Sequence, residues 1–429
     1  MRMKKVLLTF LLLFSVLAVR AQGFPFDLFG FGVPQQTRTP EKKVRLAYDV
    51  YFQFDFDNRE FSPTEDLYTR SGTLFTAALT PSVGVEIQPT DEVRHQVMLG
   101  IDIMKNMGEN PVTPADAKLR NWDLLREITL YYHIQARLEN TLITAYAGVF
   151  PRRFMQGEYG KSFFSDSLKL VDRNLEGALL RIRRPRAMYE FGCDWMGMFG
   201  PGRRERFMLF STGEAALTDW LSLGWALNGY HYACTAEYGH VADNILAQPF
   251  VKFDLGTLSG MQELSAKLSL LAGLQRLRQL VMDFSVPYGG ELQLGVRQWN
   301  VGLDNRTYFG TSLMPFYNQL DEAGRKYGSD FYWGAPLYRI HSQAGTAWNT
   351  PGWYDRAEIY WQPHIADFVD LRLSAVFHFT GDGAKPFLYC GSQQRLTLVF
   401  DLQRLLYPTR TVIVRSRTKR NKLKTHDIL

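Results

Sequence analysis

Cysteine is scarce: three residues in 429, at 193, 234 and 390. That number excludes a disulfide scaffold, and the spacing holds no zinc pattern. Long apolar runs are also missing. Beyond the N-terminus no stretch approaches the roughly 18 residues a membrane helix needs. Neither Gly-x-Ser-x-Gly nor His-Glu-x-x-His occurs, so the common hydrolase and metalloprotease signatures are absent. Charged residues make up 21% and aromatics 14%, which is too aromatic for a disordered chain. The formal net charge is +6, which invites a nucleic-acid or anionic-surface reading until the charges are placed along the chain.

What is present begins with an export signal. Arg2, Lys4 and Lys5 precede an apolar run from Val6 to Val19, and Val19-Arg20-Ala21 suits a cleavage site. This layout predicts a signal peptide over 1–21, too short to span a bilayer as a helix. Residues 22–43, rich in Phe, Gly and Pro, read as a flexible lead-in. The charge can then be divided. The signal carries four positives, Arg2, Lys4, Lys5 and Arg20, so its removal leaves +2. The stretch from Tyr407 onward holds seven positives against Asp427, or +6. Residues 22–406 therefore carry −4. The basicity belongs to the two ends, and a nucleic-acid partner is not expected. The tail, 406–429, reads as a solvated basic segment, with anionic lipid or a periplasmic protein as its partner if it docks.

Between the ends the period is two. Leu46, Tyr48, Val50, Phe52, Phe54 and Phe56 alternate with Arg45, Ala47, Asp49, Tyr51, Gln53 and Asp55. Similar alternation runs through 93–103, 127–138, 264–275 and 369–379. Such segments are strands with one apolar and one polar face. They are 10 to 14 residues long, beyond the usual 5 or 6 of globular sheets and enough for a tilted membrane-spanning strand. Sixteen strands are predicted: 44–57, 73–88, 93–105, 124–138, 141–150, 174–184, 187–197, 206–217, 220–232, 245–256, 262–274, 286–298, 302–311, 353–362, 368–380 and 393–405. The turn between the twelfth and thirteenth is placed near Gly302-Leu303-Asp304-Asn305. Tight turns at 89–92, 139–140, 185–186 and 218–219 alternate with long loops at 58–71, 106–122, 151–173 and 233–244. That is the arrangement of an outer-membrane barrel, a closed antiparallel transmembrane β-barrel of about 16 strands (14 to 18) over 44–405. The soluble alternative is a pair of exported β-sandwiches.

The chain resembles the porin-like outer-membrane barrels of Gram-negative bacteria, in particular those of the Bacteroidota. The resemblance rests on the Ala21-Gln22 junction, on Gly148-Val-Phe-Pro-Arg-Arg153, Phe163-Phe-Ser-Asp-Ser167 and Asn174-Leu-Glu-Gly177, and on Tyr308-Phe-Gly with Leu313-Met-Pro315. It differs at its end, where about 24 residues follow the last strand. The resemblance implies an outer-membrane location, a passive channel for small hydrophilic solutes, insertion by the barrel-assembly machinery, lipid contact, association of copies, and no cofactor or metal. It also nominates the third long loop, 151–173, as a constriction folded into the lumen. That loop carries Arg152, Arg153, Glu158, Lys161, Asp166, Lys169, Asp172 and Arg173. The polar strand faces supply the facing wall: Arg181, Arg183, Lys252, Lys267, Glu291, Arg297, Arg356, Glu358, Arg372 and Arg395. Fixed charge in a narrow passage sorts solutes by sign and size.

Two other readings stay open. The longest loop, about 312–352, holds Tyr317, Tyr332, Trp333, Tyr338 and Trp348, aromatics that could stack on sugar rings or pack the loop upon itself. A barrel that binds glycan or a partner through such loops would be adhesive rather than conducting. A rim hydrolase would draw on His231, His240, His341, His364, His378 and Ser165-Asp166-Ser167. Cys193 is expected on the apolar face of its strand. Cys234 and Cys390, both near the outer rim, could bridge in an oxidising compartment.

Overall fold

Alternate side chains of a strand leave opposite faces of the pleat, so a long period-two segment is stable only where its two faces meet different surroundings. A computed structural model shows how this chain meets that condition. It describes residues 43–62, 71–107, 125–278, 283–340, 347–381, 386–406, 410–413 and 425–428. The signal peptide and nearly all of the lead-in lie outside the described residues.

The strands are β1 Lys43–Phe61, β2 Gly72–Gln88, β3 Val93–Asn106, β4 Leu125–Leu138, β5 Thr141–Pro151, β6 Asn174–Arg184, β7 Ala187–Gly197, β8 Arg206–Ala216, β9 Leu221–Tyr232, β10 Ala242–Asp254, β11 Glu263–Leu277, β12 Tyr288–Gln298, β13 Val301–Gly310, β14 Gly352–Trp361, β15 His364–Ala366, β16 Val369–Gly381 and β17 Leu388–Asp401. Each neighbour pairs antiparallel, and β1 pairs with both β2 and β17 (Tyr51 opposite Asp401, Phe61 opposite Gly391), which closes the sheet. Sixteen strands form the wall. The three-residue β15 pairs with β16 beside the turn, while β14 pairs with β16 directly. A closed barrel leaves no sheet edge, and two sandwiches are ruled out.

Sidedness is inverted relative to a soluble protein. Asp49, Glu190, Thr212, Gln248, Glu291 and Glu358 point inward and are buried, while Val44, Leu99, Leu130, Leu270 and Ile359 point outward and are exposed. The contiguous apolar exterior is far larger than a soluble surface tolerates and has the form of a lipid-facing belt. Cys193 lies on this outer face between Phe191 and Trp195. All three cysteines are free, so the Cys234–Cys390 bridge does not form.

Several boundaries differ from expectation, three of them most. The β12–β13 turn is Trp299-Asn300, not Gly302–Asn305. Both of its residues have positive φ, 51° and 66°, as a two-residue hairpin turn matching the strand twist requires. Trp299 is an unusual residue there, and the sequence signal was weak for that reason. The last strand runs 388–401 rather than 393–405. Beyond it Leu402–Leu406 turns helical, with Asp401 Oδ1 accepting from the Gln403 amide at 3.1 Å. β1 continues past 57 to Phe61 because β17 pairs with it that far. In the tail, Arg410–Ile413 and Thr425–Ile428 form a two-stranded sheet of their own, separate from the barrel.

Candidate functional site

The candidate site is the lumen. Segment 152–173 leaves β5, crosses the interior and returns to β6. A buried single turn at Arg152–Phe154 opens it. The short helix Asp166–Val171 closes it, its N-cap Ser165 Oγ accepting from the Leu168 amide at 3.1 Å. Phe154, Phe163, Phe164 and Leu168 are buried along it.

Charged side chains staple the segment to the wall. Arg152 donates to Asp172 Oδ2 and Asp194 Oδ2, each at 2.8 Å. Arg153 pairs with Asp49 on β1, and Arg173 reaches Asp102 on β3 at 3.2 Å. Glu190 on β7 accepts from the amides of Gln156 and Gly157 and from the Tyr159 hydroxyl, each at 3.1 Å, and from Arg181 Nε at 2.7 Å. Arg181 also donates to the Phe154 carbonyl, and Arg183 donates to Gln156 Oε1. On the far side Glu158 sits between Lys267 Nζ at 2.8 Å and Lys252 Nζ at 2.9 Å. Asp166 accepts from Lys161 Nζ at 2.8 Å and from Arg395 Nη1 at 3.3 Å. The segment thus touches β1, β3, β6, β7, β10, β11 and β17.

These contacts set the ionisation of the segment. Burial pushes the Glu158 carboxyl up, but Lys267 and Lys252 outweigh it and hold the group down at about 2. Asp166 is likewise held well below the carboxylate range, Lys161 and Arg395 overcoming burial. Lys161 moves the other way, down to about 8, because burial and the nearby Arg356 outweigh Asp166. Asp172 is raised by burial, despite Arg152.

The described part of the segment after β13, residues 311–340, also turns inward and fills the β8–β13 side. Tyr332 OH donates to Gln275 Oε1 at 2.7 Å, Tyr338 OH bonds Glu291, and Gln275 Nε2 donates to the Leu313 carbonyl at 2.9 Å. The two inward segments join backbone to backbone: the Ala335 amide donates to the Lys161 carbonyl at 2.7 Å, and Ser165 N to the Trp333 carbonyl at 2.9 Å. Phe163, Phe210, Met314, Phe316 and Phe331 form one buried cluster between them. An apolar core thus stands inside a polar lumen. Of the aromatics expected either to stack on sugar rings or to pack the loop upon itself, two are fully packed away. Tyr332 and Tyr338 are buried and hydrogen-bonded, and Tyr317 packs on Tyr332 and beneath Arg339. Trp333 and Trp348 are half-buried. Tyr317, Tyr332, Trp333 and Tyr338 pack the segment into the barrel.

A cavity of about 390 Å³ lies between segment 152–173 and the wall of β1, β2 and β17. Tyr51, Gln53, Asp55, Asp57 and Arg59, alternate residues of β1, line it in a row. At about 3.3 Å per residue that row extends about 26 Å along the strand. Asp166, Lys169, Arg173 and Arg395 face the row. Asp166 is 42% exposed there.

The remaining expected wall residues divide. Arg356 and Arg372 clasp Glu358 at 2.8 and 3.0 Å, and Arg372 stacks on Tyr360. Arg297, opposite Glu263, lies one residue from the β12–β13 turn, at the other rim from segment 311–340. Asp49, Asp102, Glu190 and Asp194, which hold segment 152–173, were not nominated from the sequence. Their signal was there, since each is an acid on the polar phase of a strand. Among the histidines, His378 lies in the wall bonded to Tyr354 and Gln393, His240 meets Glu322 and His364 meets Asp367. His341 lies outside the described residues.

No family model matches the chain, and no curated protein matches it. The chain is similar to several solved structures over most of their length. Against Pseudomonas aeruginosa OpdO the identity is 12%, covering 83% of this chain and 97% of that one, with a TM-score of 0.41. OmpT, an outer membrane protein of Vibrio cholerae, shows 6% identity, 83% and 97% coverage and a TM-score of 0.45. A mutant of the Rh. blastica porin gives 8%, 83%, 99% and 0.39. At TM-scores below 0.5 none of these decides register, lumen chemistry or solute.

Proposed function

We propose that the protein is an outer-membrane channel for passive diffusion of small hydrophilic solutes in a Gram-negative bacterium of the Bacteroidota type. The observation that carries this reading is the inverted barrel, apolar outside and polar inside, with a charged cavity running along β1. No covalent step is involved. Segment 152–173 narrows the lumen, and solutes pass on the β1 side. Arg152, Arg153, Glu158 and Arg173 are neutralised against the wall, so they position the segment. Lys169, exposed in the cavity, and Asp166, partly exposed there beside Lys161 and Arg395, set the preference for charge. Lipids and the assembly machinery are the expected partners.

Single-channel recording of the refolded mature protein tests this. Discrete conductance steps are expected, and Asp166→Asn should move the reversal potential towards anions. A folded barrel that never conducts would overturn the reading in favour of an adhesive barrel.

A further inference from the structure

Nine of the described residues that line the cavity along β1 are charged, and most of them pair off. Asp57 accepts from Arg59 Nε at 2.7 Å. Asp166 is held by Lys161 and Arg395. Arg152 is bound to Asp172 and Asp194, Arg153 to Asp49, and Arg173 to Asp102. Two charges are left over. Asp55, on β1, takes neutral donors, Gln53 Nε2 at 2.6 Å and Thr397 Oγ1 at 2.8 Å. With Arg173 and Arg395 committed elsewhere, it has no ion pair among the described residues. Lys169, on the short helix of segment 152–173, is exposed and likewise has no ion pair among the described residues.

The two unpaired charges stand on opposite sides of the cavity, the carboxylate on the wall and the ammonium on the inward segment. A fixed charge in a narrow passage attracts a mobile charge of opposite sign and repels one of its own. An anion drawn to Lys169 is repelled by Asp55. A cation drawn to Asp55 is repelled by Lys169. A neutral solute gains nothing from either. A solute that carries both signs is attracted at both ends and is oriented as it enters. The volume of about 390 Å³ is that of a small-molecule site. Met155 and Leu170 line it as well, so a modest apolar group on the solute finds contact there.

We propose that the cavity favours dipolar solutes, those carrying one ammonium and one carboxylate as free amino acids and short peptides do, with the ammonium drawn to Asp55 and the carboxylate to Lys169. The inference rests on the channel reading and names the solute class that the same passage prefers. Gln53 and Thr397 fix the Asp55 carboxylate in place. Lys169 carries its charge on a flexible four-carbon stem. One fixed and one movable charge accommodate a range of spacings between ammonium and carboxylate, so the preference is for a class and not for one compound.

The test is efflux of dilute labelled solutes from vesicles that hold the full-length mature protein, in equal salt on both sides at pH 7. Alanine carries both charges, lactate the negative alone, alaninamide the positive alone and lactamide neither, and the four are close in size. Each flux is divided by that of lactamide through the same vesicles, so differences in the amount of folded protein cancel. An ion pair in contact with water contributes up to about fivefold, so alanine is expected to cross about fivefold faster than lactamide. Lactate and alaninamide should cross no faster than lactamide. Asp55→Asn should bring the alanine ratio towards unity and raise that of lactate. Lys169→Met should also lower the alanine ratio, and raise that of alaninamide. Lys169 is exposed, so its variant keeps the test decisive if Asp55→Asn folds poorly. Wild-type barrels that pass alanine and lactamide equally, or variants that keep the wild-type ratio, would overturn the dipolar preference and leave the channel reading intact. Wild-type vesicles that pass none of the four would instead overturn the channel reading.

Discussion

Glu158 clamps segment 152–173 to the wall of β10 and β11. Its carboxylate lies between Lys267 and Lys252, and Lys267 is 5% exposed with its ammonium over the Phe250 ring at 4.5 Å. The carboxyl titrates at about 2 instead of 4.5. At about 1.4 kcal/mol per tenfold this difference is worth about 3 kcal/mol. The carboxylate is 27% exposed to lumen water, and screening reduces the figure to about 2 kcal/mol. Glu158→Gln should therefore raise the detached population of the segment about 30-fold. Hydrogen exchange of the amides of 155–164, read in micelles, reports that opening directly, and bilayer recordings should show added conductance fluctuation. The folded value lies below the unfolded one, so the contribution is complete above about pH 4.5 and is lost as pH falls towards 2. Wild-type exchange should thus be flat from pH 7 to about 5, after correction for intrinsic rates, and accelerate below. The variant should lack that acid-dependent step. Exchange and conductance matching wild type at pH 7 would refute the clamp.

Other consequences follow from the same lumen. Lys161 loses its charge near pH 8, so raising pH from 7 to 9 should move the reversal potential towards cations, and Lys161→Met should remove that response. Its folded value lies below the unfolded 10.5, so its contribution to stability rises between about pH 8 and 10.5. Glu190→Ala leaves Arg181, 5% exposed, without its carboxylate; a loss of about 3–5 kcal/mol is expected. It should appear as a lower denaturation midpoint, and an unchanged midpoint would count against Glu190 as the anchor.

The sequence by itself determined the wall. A period of two sustained over ten or more residues commits alternate side chains to opposite faces, and tight turns alternating with long loops commit the strands to a meander. Strand number, sidedness, the outward Cys193 and the inward Arg356, Glu358 and Arg372 were legible from that local rule. Where a turn used an atypical residue, as at Trp299-Asn300, the boundary was not legible. The tertiary structure alone decided how the lumen is filled. Glu158 meets Lys267, and Tyr338 meets Glu291, across separations in sequence that no periodicity encodes. Whether Tyr332 faces a solute or packs inside depends on closure of the barrel around it. The same holds for Asp55. Its alternation placed it inward, but only the paired strands brought Thr397 beside it, and only the inward segment set Lys169 across the cavity from it. Local chemistry chooses a face for each side chain, and long-range pairing chooses what that face meets.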